Sequence, residues 1–286
     1  MRTRLIAAVT LSGALLATAA ACGDDSSSTA TTKASGGGSA DVKGFKPIKA
    51  DTLTIVTSLP GPGFWDGSED DVTKLNAGFE YEMAKALQAK LGLKNLEVRN
   101  ESFDALVAGQ AGKFDLALSQ VTITDERKKV VDFTDAYWES DQGVLAKADK
   151  KVASLDDAKK LNWGVQTGTT GLDFVEKTIK PAKAPQVYQN LADAFTALSA
   201  GQIDAVMMDT AIVLGEAGRS GGKLAVVAQF KTGEQYGGII PKGNPQANKD
   251  VINGLINGLK SDGSLAKFAT KNLGGDPTKV PVIAVK

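Results

Sequence analysis

Two periods of hydrophobic and polar positions alternate along this chain. Leu53-Thr54-Ile55-Val56-Thr57 is short and rich in β-branched residues, the pattern of a buried strand. From 78 to 91 the period changes: Phe79, Met83, Leu87 and Leu91 recur every fourth residue and so share one helical face, and Gly92 stands where a left-handed turn ends a helix. Leu96-Glu97-Val98 reads as a strand, 103–108 as a short helix and Phe114-Asp115-Leu116-Ala117-Leu118 as another strand. Strand, helix, strand, helix, strand predicts a largely parallel sheet with helices on both faces.

The order then recurs. Trp163-Gly164-Val165-Gln166 is strand-like, Leu172, Val175 and Ile179 predict one helix, Leu191, Phe195 and Leu198 a second, and 203–208 a further strand. Asp104-Ala105-Leu106 leading to Phe114-Asp115-Leu116-Ala117 aligns at an offset of 89 with Asp193-Ala194-Phe195 leading to Ile203-Asp204-Ala205-Val206. Two copies of one helix–turn–strand unit point to two sheets. Gly143-Val144-Leu145-Ala146 and Tyr236-Gly237-Gly238-Ile239-Ile240 flank the second half. If both cross between lobes, the chain forms lobe 1 over 51–142, lobe 2 over 143–234, and returns to lobe 1 over 235–286 with helices near 251–259 and 265–268. The fold class expected is therefore α/β, two-lobed, with two mixed, mostly parallel sheets joined by a two-strand hinge. Two independent domains on a simple linker would leave the helical tail without a sheet. Strand ends facing an interlobe cleft are where open α/β sheets place ligands.

The N-terminal pattern differs. Arg2 and Arg4 precede an apolar run from 5 to 21, the build of a secretory signal and too short to span a bilayer comfortably. The single cysteine, Cys22, follows Ala19-Ala20-Ala21 and resembles the lipidated cysteine of a bacterial lipobox, with Ala19 where leucine is usual. Ordinary cleavage nearby would leave a lone exported thiol. The remainder of 22–50 is rich in Ser, Thr, Gly and Ala, the composition of a flexible tether. The expected location is the extracytoplasmic face of the cell membrane, held by the Cys22 lipid.

Composition narrows the chemistry. The 286 residues carry 33 basic and 33 acidic side chains, and loss of Arg2 and Arg4 with the leader leaves 31 against 33, which gives no electrostatic case for nucleic acid. Histidine is absent and the one cysteine lies at the lipobox. That excludes His-based acid–base chemistry, Ser–His or Cys–His nucleophiles and zinc sites, leaving carboxylate or lysine chemistry. No cofactor motif is present, and a monomer is expected.

Candidate binding residues cluster at predicted strand ends. Ser119, Gln120 and Thr122 follow one strand, and Arg127 opens a short helix after Thr124. A guanidinium beside hydroxyls is suited to a carboxylate, though Arg127 can equally be a surface residue beside Glu126. In the second half Gly168, Thr169 and Thr170 lie between a strand and a helix, where glycine admits a ligand and first-turn N–H groups can donate, or where Thr merely caps. Asp209, at the offset of 89 from Gln120, can face an ammonium or cap the next helix. Phe103, Phe64 and Trp65 can stack on a ligand or close the core.

These segments together resemble the family 3 extracellular solute-binding proteins, receptors of polar amino-acid ABC importers. The likeness runs from about 53 to 268 and is carried by Gly78-Phe79-Glu80-Tyr81-Glu82, Gly112-Lys113-Phe114-Asp115, 122–127, 131–137, Gly168-Thr169-Thr170, 201–205 and Gln235-Tyr236-Gly237. The resemblance implies a type II periplasmic-binding fold, an L-amino acid in the cleft and a permease partner. It assigns the α-carboxylate to Arg127 with Thr122 and the Thr170 N–H, the α-ammonium to Asp209, and stacking to Phe103. The stretch 59–65 is closer to glutamate- and glutamine-type receptors, and Gln120 replaces a serine common in histidine and basic amino-acid receptors. Both favour a glutamine, glutamate or asparagine side chain, and the lack of an acidic cluster besides Asp209 near the cleft motifs speaks against lysine or arginine. Relatives include cyclohexadienyl dehydratases and ligand sensors; Glu101 and Glu139 are the conceivable acids but form no constellation.

Overall fold

The computed structural model describes residues 43–285, so the leader, Cys22 and most of the tether lie outside the described residues. In chain order the elements are β1 (Thr52–Thr57), α1 (Phe79–Lys90), β2 (Asn95–Asn100), α2 (Phe103–Val107), β3 (Leu116–Ala117), α3 (Asp125–Lys128), β4 (Val131–Phe133), β5 (Trp138–Lys147), α4 (Leu155–Ala158), β6 (Trp163–Gln166), α5 (Thr170–Phe174), β7 (Gln186–Tyr188), α6 (Leu191–Ser199), β8 (Ala205–Asp209), α7 (Thr210–Arg219), β9 (Leu224–Tyr236), β10 (Ile239–Pro241), α8 (Gln246–Ser261) and α9 (Ser264–Asn272). They form two five-stranded sheets, ordered β2-β1-β3-β10-β4 and β7-β6-β8-β5-β9. In each sheet two neighbouring pairs are parallel and two antiparallel, so that four of five strands run the same way. This is the two-lobed α/β fold of type II periplasmic binding proteins.

Both sheets are buried on both faces, which is why their strands read as near-continuous apolar runs. Along β8, Ala205 and Met207 join Val144, Trp163, Val165 and Phe230 on one face. Val206 and Met208 point the other way, with Leu145, Phe195, Leu198 and Ile212. In the first sheet, Leu53 and Ile55 pack with Phe79, Met83 and Leu87 of α1 and Val251, Ile252 and Leu255 of α8. Val56 and Ala117 pack on the opposite face with Phe103, Leu106 and Phe133.

The repeated wording has a structural meaning. Asp115 accepts from the N–H groups of Ile48 and Thr54, at 2.8 Å each, and its own N–H donates to Thr54 O. Asp204 likewise accepts from Asn162 N at 3.0 Å while its N–H donates to Asn162 O. Each carboxylate anchors the start of the neighbouring strand, far from the strand ends that face the other lobe.

Two strands carry the chain between lobes. Trp138, Glu139 and Ser140 of β5 pair with Tyr236, Gln235 and Glu234 of β9, and the register shifts between Ser140 and Gln142. Asp141, at that bulge, accepts from Thr232 N, Gly233 N and Lys231 Nζ and so fixes the crossing. The glycines of 237–238 lie beyond it, where β9 gives way to β10 of the first sheet.

The C-terminal tail corrects the expectation that 235–286 stays with lobe 1. After α9 the chain leaves lobe 1 and lies along β9 of lobe 2. Gln229 N donates to Pro281 O (2.8 Å), Ile283 N donates to Gln229 O (2.9 Å), and the buried Gln229 Nε2 donates to Pro277 O (2.6 Å) and Val280 O (2.9 Å). Val280 is buried, and Ile283 enters the core cluster that holds Val144 and Phe230. The tail is thus a third connection between lobes. A chain ending at Asp276 loses the burial of Val280 and Ile283, roughly 2–5 kcal/mol. Its melting temperature is expected to fall by about 4–15 °C in differential scanning calorimetry, and a fall under about 2 °C contradicts a structural role for the tail.

Candidate ligand-binding site

The first lobe's contribution begins with the loop after β1. Phe79 N donates to Gly63 O, and the N–H groups of Glu80 and Tyr81 donate to Phe64 O, so the loop carbonyls cap the start of α1. Gly78 is required there: at φ 120° it lies so close that a Cβ would stand 2.1 Å from Phe64 O. This capping draws Phe64 and Trp65 inward. Phe64 meets Phe79 and Tyr236 edge-on, and Trp65 Nε1 donates to Glu80 Oε2 (2.7 Å) and Leu118 O (3.1 Å). Both aromatics are core residues, which corrects the expectation that they reach a ligand.

Gln120 is corrected for a related reason. It follows β3 in a left-handed turn, φ 49°, and its side chain points into the lobe, where its Nε2 donates to Glu80. Ser119 Oγ accepts from Ser58 N at 3.0 Å and so ties the ends of β1 and β3. After this turn Val121 O accepts from Gly237 N and Ile123 N donates to Gln235 O, so the segment runs beside the hinge.

Thr124 caps α3 by accepting from Arg127 N at 3.2 Å, and this places the Arg127 side chain in the cleft. The guanidinium is buried. Nη1 donates to Thr122 O (2.6 Å) in its own lobe, and Nη2 donates to Gly168 O (2.9 Å) in the other. Its carbon lies 5.4 Å from the centroid of the Phe103 ring. Burial pushes its pKa down, opposed by the charges of Asp209, Glu234 and Asp173.

The second lobe presents the ends of β6 and β8. Gly168, φ 72°, packs against α2 of the first lobe: a Cβ there would stand 3.4 Å from Asp104 Cα. Thr169 is spent on capping, since its Oγ1 accepts from Leu172 N and donates to Gln166 O. Asp209 precedes α7, yet its side chain makes no cap hydrogen bond. Its carboxylate is instead 3.3 Å from Gln142 Nε2. Burial holds the Asp209 carboxyl well above the usual carboxylate range, the charge of Glu234 pushes it further up, and Arg127 pulls it back.

Two site residues escape the sequence patterns. Gln142, fully buried just after the β5 bulge, directs Nε2 to Glu234 Oε1 (2.8 Å), Thr170 Oγ1 (3.2 Å) and Asp209. Glu234, half-buried on the crossing part of β9, accepts from the hydroxyls of Thr122 (2.6 Å), Thr170 (2.7 Å) and Thr232 (3.1 Å). The hydroxyl of Thr122, expected to serve a ligand, and that of Thr170, whose N–H is the expected donor, are therefore both engaged by Glu234. The alternation of Thr232 and Glu234 between exposed neighbours was the available signal, and it marks a strand face without saying that the face meets the cleft.

Arg127, Thr122, Thr170, Gly168, Phe103 and Asp209 thus converge, joined by Gln142 and Glu234, whereas Phe64, Trp65 and Gln120 serve the lobe interior and Thr169 a helix cap. No cluster of His, Cys, Asp or Glu suited to a metal is found among the described residues. A buried guanidinium on one lobe and an uncapped buried carboxylate on the other define a receptor for a small dipolar solute. Residues 67–275 match the family model of bacterial extracellular solute-binding proteins, family 3, and the chain belongs to that family. It is 32% identical over 234 residues to the ABC transporter glutamine-binding protein GlnH of Bacillus subtilis (strain 168), which covers 81% of each chain. It is similar to the solved structure of an ancestral arginine-binding protein bound to glutamine, with TM-score 0.69 and 33% identity over 79% of this chain and 100% of that one. It is also similar to an ancestral amino acid-binding protein that is a precursor of cyclohexadienyl dehydratase, with TM-score 0.68 and 32% identity over 78% and 96%.

Asp209 gives a pH-dependent test. Its folded carboxyl lies above the unfolded value, so the folded state holds the proton more tightly and stability is lost as pH rises from about 4 towards the folded pKa. Asp209→Asn removes that loss. Melting of the unliganded protein at pH 8 is expected to rise by roughly 2–8 °C, as relief of about 1–2 kcal/mol would give, with little change at pH 4. Equal melting temperatures of parent and variant at pH 8 contradict the raised carboxyl.

Proposed function

We propose that the chain is an extracytoplasmic receptor that takes a polar L-amino acid into the interlobe cleft and delivers it to an ABC importer. The observation that carries this reading is the buried guanidinium of Arg127 on one lobe together with the buried, uncapped carboxylate of Asp209 on the other. A zwitterion entering a dry cleft must exchange its water for fixed donors and acceptors of opposite sign. Arg127 supplies the planar donor fork for the α-carboxylate, with first-turn N–H groups of α5 beside Gly168, and Asp209 accepts from the α-ammonium. Phe103, under the guanidinium, holds its plane and offers an apolar wall. The printed names of relatives, among them the glutamine-binding GlnH, support an amino acid as the class of solute.

A dehydratase remains the second reading because a structural neighbour is a precursor of one. Neither acid considered for it supports catalysis: Glu101 lies 3.6 Å from Arg99 in a half-exposed ion pair, and Glu139 sits on the hinge pair opposite Gln235. Glu234 does lie in the cleft, but both of its oxygens are engaged, Oε1 by Gln142 Nε2 and the Thr232 hydroxyl and Oε2 by the hydroxyls of Thr122 and Thr170.

Truncating one member of a desolvated, hydrogen-bonded charge pair costs about 2–5 kcal/mol, or roughly 30- to several-thousand-fold in Kd. Arg127→Ala is expected to weaken the best amino-acid ligand by that factor in calorimetric titration, with far-UV circular dichroism unchanged, and Arg127→Lys to recover only part. A Kd within about threefold of the parent removes Arg127 from the site.

We also propose that Cys22, outside the described residues, carries a lipid that holds the receptor at the membrane. Cys22→Ala should appear in the soluble fraction or accumulate unprocessed; co-sedimentation of the mature variant with membranes, as in the parent, contradicts the anchor.

A further inference from the structure

Glu234 is an anion that the clamp does not use. An amino-acid backbone satisfies Arg127 with its carboxylate and Asp209 with its ammonium, leaving Glu234 unmatched. Its four hydrogen-bond partners, the hydroxyls of Thr122, Thr170 and Thr232 and the amide of Gln142, are all neutral. They hold the carboxylate by dipoles without cancelling its charge. Gln142 Nε2 lies within 3.3 Å of an oxygen of both Asp209 and Glu234, so the two carboxylates share one amide and stand close together. Glu234 also pushes up the Asp209 carboxyl, while the single guanidinium of Arg127 donates to two backbone carbonyls. The closed cleft therefore holds two acids against one base.

Its position makes that excess permanent. Glu234 sits opposite Ser140 where β9 crosses between lobes, and it accepts from Thr122 of one lobe and Thr170 of the other. It belongs to the hinge and stays in the cleft whichever way the lobes move. The hydroxyls that would otherwise solvate an acidic side chain are already turned towards Glu234.

We propose that Glu234 is a specificity-determining residue, and that the solute is an L-amino acid with a cationic side chain, a guanidinium or an ammonium. This rests on the amino-acid receptor reading above and deepens it. A ligand of net charge +1 brings the cleft to balance, a neutral one leaves one unpaired anion, and an acidic one adds a second with no donor free. The preference for a glutamine, glutamate or asparagine side chain drew on Gln120, whose side chain is committed to Glu80 inside the lobe, and on the stretch 59–65, whose Phe64 and Trp65 are buried in the core.

The test is calorimetric titration of the full mature chain with L-arginine, L-lysine, L-glutamine and L-glutamate, repeated on Glu234→Gln. The parent is expected to bind arginine or lysine at least about 10-fold more tightly than glutamine, and glutamate most weakly. Glu234→Gln, close in shape, should weaken the cationic ligand by about 10- to 100-fold and cut its advantage over glutamine by about 10-fold or more, with melting temperature and circular dichroism showing an intact fold. Glutamine or glutamate binding the parent more tightly than both cations overturns the proposal alone. An equal loss for all ligands in Glu234→Gln overturns it too, since Glu234 is then only a tie between the lobes. A parent that binds none of the four overturns this proposal, and a parent that binds none of the twenty L-amino acids overturns the amino-acid reading as well.

Discussion

The buried carboxylate of Glu80 is the constraint on which the first lobe's half of the cleft depends. It is fully buried and accepts from Trp65 Nε1, Gln120 N, Gln120 Nε2 and Tyr137 OH. Those donors belong to the loop after β1, the turn after β3 and the chain entering the hinge, and Glu80 itself to α1. Burial pushes its carboxyl up while the hydrogen bonds pull it back. Charge-assisted bonds of this kind contribute about 1.5–3 kcal/mol each, and desolvating a carboxylate costs several kcal/mol, so the gain is geometric more than energetic. What the cluster fixes is the left-handed turn at Gln120. Without that turn the chain from Val121 to Ile123 would not double back along the hinge, and neither Thr122 nor Arg127 would enter the cleft.

The second lobe solves the same geometric problem with the opposite chemistry. Gln120 and Asp209 occupy equivalent strand ends, 89 residues apart. One is turned inward and consumed by Glu80; the other leaves its helix uncapped and keeps its carboxylate for the cleft. An uncapped helix start typically forgoes about 1 kcal/mol, and a buried carboxylate adds to that cost. The repeat that gave both lobes their architecture has thus diverged at the position that matters for binding, while the anchoring pair Asp115 and Asp204 has kept one role.

Much of this was legible from sequence because helix and strand periods, and the offset of 89, depend only on which residues are apolar. Arg127 and Asp209 were found because strand ends in a parallel sheet face the cleft whatever the details. The misassigned residues share a different property: their placement depends on rotation about the chain, not on position along it. Gln120 has a positive φ that no glycine announces. Phe64 and Trp65 follow a Gly/Pro stretch that reads as an exposed loop, yet three N–H groups of α1 draw it inward. Gln142 and Glu234 flank a β-bulge, and a one-residue shift in register decides which face a side chain takes. The tail from 277 to 283 holds Val280, Val282 and Ile283, but Pro277 and Pro281 interrupt the strand pattern, and its pairing to Gln229 is a tertiary fact.

Closure and binding follow from how poorly the cleft's own groups satisfy one another. The lobes meet through Arg127 on Gly168 O, through α7 on the loop at Pro62, where a Cβ on Gly215 would stand 2.9 Å from Pro62 O, and through an exposed Arg219–Asp66 pair at 3.6 Å. The last of these is worth little. The first sets a full charge against carbonyl dipoles, and burial disfavours the charged forms of both Arg127 and Asp209. A zwitterion replaces a carbonyl with a carboxylate at one end and gives the buried carboxylate a cation at the other, and it can do both only when the lobes are together. The differential affinity that a closing receptor requires therefore resides in groups that are under-paired in the closed protein, and a fully satisfied cleft would have nothing to gain from its ligand.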